Sequence, residues 1–150
     1  MNRLLLHHTY IDIIAAIFIT LFGYTSAVKF RDQSEFIASM IQVPLLKPLA
    51  TQLAMAVPMV ELLVTILLFF PRSRYWGLMA ATGLICLFTI YIAYIMLTMN
   101  DLPCSCGGVI RQLSWGRHLA LNIALLLAGG SCILIHKRSI AINRSSRIPV

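Results

Sequence analysis

Four stretches of this chain, approximately 10–28, 49–70, 76–99 and 119–135, are each apolar over close to the length of a membrane crossing. A helix needs about 20 mostly apolar residues to span the hydrocarbon layer. The third stretch is the cleanest, with no formally charged residue between Trp76 and Met99; the fourth is the shortest and is weakened as a helix by Gly129-Gly130. Four such segments in 150 residues leave little chain for anything else. The expected fold is an all-α membrane protein. It is an antiparallel four-transmembrane-helix bundle over residues 1–136, followed by a basic cytoplasmic tail over 137–150 without regular structure.

Charge supports this reading. Only 11% of residues are charged and mean hydropathy is +0.86, far from the polar surface a soluble domain of this size needs. The net charge of +7 would suit nucleic acid in a soluble protein. Here the cations cluster at the ends of apolar segments, with no interleaved aromatics and no binding motif, which excludes that class. With the N-terminus inside, one side holds Arg3, Arg72, Arg74, Lys137, Arg138, Arg144 and Arg147. The other holds Lys29, Arg31, Lys47, Arg111 and Arg117 together with Asp32, Glu35 and Asp101. The positive-inside rule then puts both termini in the cytoplasm and the 100–117 loop outside. A competing reading makes Arg3, residues 11–22 and Thr25-Ser26-Ala27 a signal peptide with its cleavage site; His7, His8 and Asp12 argue against it.

Between the first two spans, Phe36, Ile37, Met40 and Ile41 recur at helical spacing opposite Ser39 and Gln42, with Ser34 placed as an N-cap. This predicts a short outer interfacial helix, ended by Pro44 and Pro48; the alternative is an ordinary loop. Pro71-Arg72-Ser73-Arg74 is a turn short enough to force antiparallel neighbours, and Tyr75, Trp76 and Trp115 fit as interface anchors.

The chemistry of the chain is expected in Pro103-Cys104-Ser105-Cys106-Gly107-Gly108. Two thiols one residue apart close into a small ring with poor torsions, which makes the disulfide easy to reduce. A purely structural bond gains more from a longer loop. His118 and Asn122, four apart at the head of the fourth span, share a face, so Asn122 could orient an imidazole that moves protons. Glu61 lies midway along the second span, where a carboxylate is costly and must face the bundle interior. It could handle protons, donate to a carbonyl opened by Pro58, or fix the register of the bundle. Asp12, nearer a helix end, reads as structural. Cys86 and Cys132 fall inside spans, at equal depth by helix rise, and read as inert apolar residues. A metal alternative gathers Met96, Met99, Cys104, Cys106 and His118 as soft donors suited to Cu(I).

These segments resemble the MauE/DoxX-like redox-associated membrane proteins. The likeness rests on Lys29-Phe30-Arg31-Asp32, Pro58-Met59-Val60-Glu61, the Cys104–Cys106 motif with its glycines, and residues 114–122, and extends to about Ile135. The chain departs from the expected pattern at Gly108, where an aromatic would follow Cys-x-Cys-Gly. The resemblance implies a four-helix bundle assisting extracytoplasmic disulfide chemistry beside a thioredoxin-like partner. The family's founding member is associated with methylamine dehydrogenase maturation. Carried over by position, Cys104 and Cys106 are the redox pair and Glu61 an intramembrane polar site. The resulting expectation is a thiol–disulfide oxidoreductase component, with a quinone between the helices compatible as electron acceptor but demanded by no residue. A soft-metal carrier and a non-catalytic assembly subunit are the alternatives.

Overall fold

The computed structural model of the protein describes residues 2–98 and 115–145. Its helices are α1 (Asn2–Arg31), α2 (Gln33–Ile41), α3 (Ala50–Phe69), α4 (Arg74–Thr98) and α5 (Trp115–Ser145), with one 3-10 turn at Lys47–Leu49 leading into α3. Four of them are long and apolar enough to cross a membrane, within Thr9–Arg31, Lys47–Phe69, Arg74–Thr98 and Trp115–Lys137. They alternate in direction. α1 packs on α3, α3 on α4, α4 on α5, and α5 returns to α1, which closes an antiparallel bundle.

The bundle has its large side chains on both faces, as a lipid-embedded domain requires. Phe18, Phe22, Leu68, Leu78 and Ala81 fill the interior, while Met59, Leu63, Phe69, Leu87, Leu97 and Leu127 stand exposed on the outside. Without an apolar–water contrast to drive helices together in lipid, close approach at small residues matters more. A Cβ at Gly77 would lie 2.9 Å from the Leu68 backbone nitrogen and 3.0 Å from the Leu67 carbonyl carbon. One at Gly129 would run into Thr82 Oγ1 and lie 3.2 Å from Phe18 Cζ. α5 runs unbroken through Gly129-Gly130, and Gly129 lets it seat against α4 and α1.

The α3–α4 turn is closed by its own side chains. Ser73 Oγ donates to Leu67 O at 2.8 Å, and Arg74 Nε to Leu68 O at 3.4 Å, satisfying carbonyls the helix end leaves open. Arg74 also forms an ion pair with Asp12, tying the turn to α1 and giving Asp12 the structural role expected of it. Trp76 is exposed beside this turn, but Tyr75 stacks on His136 of α5 with ring centroids 5.0 Å apart. α5 continues as helix to Ser145, correcting the expectation of an unstructured tail after His136. No proline interrupts that stretch before Pro149, and a helix already nucleated extends at little cost.

The segment after α1 is helical, but its details differ from expectation. Asp32, not Ser34, holds the N-cap position, and no side chain caps it. Phe36 and Met40 are buried against Ala50 and Ala54 of α3. Ser39 is buried with them and Ile41 is exposed. Ser39 tolerates burial because its hydroxyl donates to Phe36 O at 2.7 Å.

Candidate functional site

α1 and α3 meet through two polar rungs. On α1, Ser26 and Lys29 are three residues apart and share a face; on α3, Pro58 and Glu61 do the same. Ser26 Oγ donates to Pro58 O at 2.8 Å, and the Lys29 ammonium pairs with Glu61 Oε1. Glu61 faces the interior as its cost demands, at 1% exposure, but its partner is Lys29 and not a carbonyl opened by Pro58. Lysine near a helix end ordinarily directs its ammonium toward the interface. Lys29 instead turns inward, where the rings of Phe36 and Phe88 stand 5.5 and 5.1 Å from Nζ. Two aromatic faces and a carboxylate thus replace its water.

This pair lines a cavity of about 410 Å³ between the helices. The remaining wall is almost entirely apolar, formed by Phe22, Val57, Leu84, Phe88 and Ile92 among others, with His118 and Asn122 contributed by α5. His118 and Asn122 share a face as expected. Nε2 of His118 is buried and has no hydrogen-bond partner among the described residues, so Asn122 does not hold the ring through that atom. The second oxygen of Glu61, Oε2, is likewise buried and unpartnered among the described residues. A polar atom left so in an apolar surrounding is costly unless something completes it.

Glu61 and His118 are therefore brought to one cavity. Cys104, Cys106 and Met99 lie outside the described residues, and Met96 is exposed near the end of α4. Among the described residues no three His, Cys, Asp or Glu side chains converge as a metal-binding group. Cys132 is fully buried and Cys86 exposed, and both are free thiols. They are not at equal depth. Thr82–Gly129 and Tyr75–His136 set the register of α4 on α5, which leaves Cys86 about two turns, roughly 10 Å, from the level of Cys132.

Lys29 is the site residue that the sequence reading passed over, because it was counted as a loop cation beyond a span ending at Val28. The signal was present: Ser26 and Lys29 stand three positions apart at the end of α1, and a mid-span carboxylate is costly without a cation within reach.

The fold and site define a multi-pass membrane protein whose four-helix bundle encloses a buried ion pair at the wall of an apolar cavity. More narrowly, the chain belongs to the family described as methylamine utilisation protein MauE, which matches residues 7–135. No curated protein and no solved structure matches it.

Proposed function

We propose that this protein is an inner-membrane thiol–disulfide redox protein, with Cys104 and Cys106 as the exchanging pair on the extracytoplasmic side. The observation that carries the reading is the Cys-x-Cys pair in a polar connection of a MauE-family bundle. Support comes from the ends of that connection. α4 ends at Thr98 and α5 begins at Trp115, one turn before His118, so the connection joins the bundle at the end where the cavity lies. A pair strained by its short ring is reactive toward an incoming thiolate.

In the exchange, a thiolate of a thioredoxin-like partner attacks one sulfur of the Cys104–Cys106 disulfide. The S–S bond breaks, a mixed disulfide forms, and the other cysteine leaves as thiolate. The partner's second thiolate then displaces this protein's cysteine, so the partner departs oxidised and the pair is left as dithiol. The reverse sequence reduces the partner. His118 is the residue to take up or return the proton as the thiol state changes.

Cys106→Ser should trap the intermediate. In cells expressing this variant, non-reducing electrophoresis should show a covalent adduct with an extracytoplasmic thioredoxin-like protein that dithiothreitol dissolves. Absence of any adduct from both Cys106→Ser and Cys104→Ser, with function intact in the double variant, would overturn the reading in favour of an assembly subunit.

A further inference from the structure

We infer that the cavity between the helices is a binding site for a membrane-dissolved quinone. Three features of the molecule lead there. The first is access. Leu87 and Leu121 line the cavity and are also exposed on the outer surface of the bundle, at 63% and 39%. The mouth therefore opens sideways into the bilayer, and its occupant arrives through lipid.

The second is the wall. A volume of about 410 Å³ is within the ordinary range for small-ligand sites, and its lining is apolar and aromatic with a few polar groups. An acyl chain would need no polar atom in the wall, and a phospholipid headgroup would need many. A flat ring with an oxygen at each end needs a few, placed apart.

The third is where those polar groups stand. The Lys29–Glu61 pair belongs to the α1–α3 side, and His118 belongs to α5, which neighbours α4 and α1 and stands diagonally from α3. Lys29 offers N–H donors to a quinone carbonyl. Glu61 Oε2, buried and without a hydrogen-bond partner among the described residues, accepts from a quinol hydroxyl, and His118 Nε2 serves the opposite end of the ring. The same wall therefore suits both the oxidised and the reduced ligand, because donor and acceptor are adjacent in one ion pair. The ligand's role, though not its binding, rests on the thiol–disulfide reading. When the cysteine pair passes from dithiol to disulfide it releases two electrons and two protons; the quinone takes both and leaves as quinol.

Binding is tested with the full-length protein in lipid nanodiscs, using an azidoquinone photolabel competed by decylubiquinone. Labelling should saturate, should be lost on competition, and should map to the peptide carrying His118 and Asn122. Leu121→Trp, which plugs the mouth from an exposed position, should weaken apparent affinity at least tenfold, as should His118→Leu. Leu134→Trp, exposed on the same helix but away from the cavity, should leave it unchanged. Unsaturable labelling, equal labelling of Leu121→Trp and Leu134→Trp, or a retained phospholipid that decylubiquinone does not displace would each overturn the site. Cys104→Ser/Cys106→Ser should bind normally. Quinone binding without any trapped thiol adduct would sink the redox reading and leave the site standing, and adducts without quinone binding would do the reverse.

Discussion

Lys29 and Glu61 illustrate why a buried pair is weak evidence of stability but strong evidence of constraint. Their mutual attraction is offset by the loss of water around both, yet removing one alone strands the other in an apolar interior. Glu61→Leu should therefore destabilise the bundle by about 3–5 kcal/mol, read as a large fall in the unfolding midpoint in detergent. Lys29→Met/Glu61→Leu should recover most of that loss. A double variant no better than the single would mean that the ammonium finds another partner. The pair also shows where the residues were legible. Glu61 could be placed facing inward from cost alone, since no apolar environment tolerates a carboxylate aimed at lipid. Lys29 could not, because the end of α1 lies three residues beyond the end of its apolar run. Hydropathy marks where lipid-like composition stops, and a helix continues past that point whenever it still has a surface to pack on.

At the level of elements, the helices were readable because each span sums the preference of about 20 residues. Their seating was not, because it depends on a few atoms at each crossing. Gly77 and Gly129 look like ordinary helix-weakening glycines in the sequence. In the bundle, Gly77 meets the backbone of α3 and Gly129 meets α4 and α1. Gly77→Ala should cost about 1–3 kcal/mol through overpacking, since a backbone cannot rotate out of the way. Gly129→Ala should also destabilise, because the Thr82 hydroxyl must give up its 2.7 Å bond to Leu78 O and the fully buried Phe18 ring must shift. Gly83→Ala and Gly130→Ala, which face open space, should leave thermal unfolding unchanged or slightly raise its midpoint. The same dependence on a few contacts explains the depths of Cys86 and Cys132, which counting from span ends placed level.

For the whole molecule, the alternation of helices puts the α2–α3 connection and the α3–α4 turn at opposite ends of the bundle. In a background without native cysteines, Gln42→Cys should react with an impermeant maleimide on intact cells. Arg72→Cys should react only after permeabilisation. Labelling of both from one side would contradict the membrane-spanning arrangement, and exchange of the two patterns would invert the orientation derived from the cations. The fold class, the alternation and the inward carboxylate could all be read from the chain before any coordinates. The cavity could not, because it is made from a few residues each of α1, α2, α3, α4 and α5 whose faces only the packed bundle aligns.

The inward turn of Lys29 bears on how the chain is made. Emerging from the ribosome, α1 presents an ammonium in its final turn with only Asp32 and Glu35, beyond the apolar run, as acids close in sequence, and Glu61 has yet to be synthesised. Glu61 alone carries an insertion penalty of about 3 kcal/mol at mid-membrane depth, and the Lys29 ammonium, nearer a helix end, has no acid facing it inside the bundle until α3 arrives. The first two spans should therefore insert more efficiently together than α1 alone, a difference that glycosylation-site mapping of truncated chains would measure.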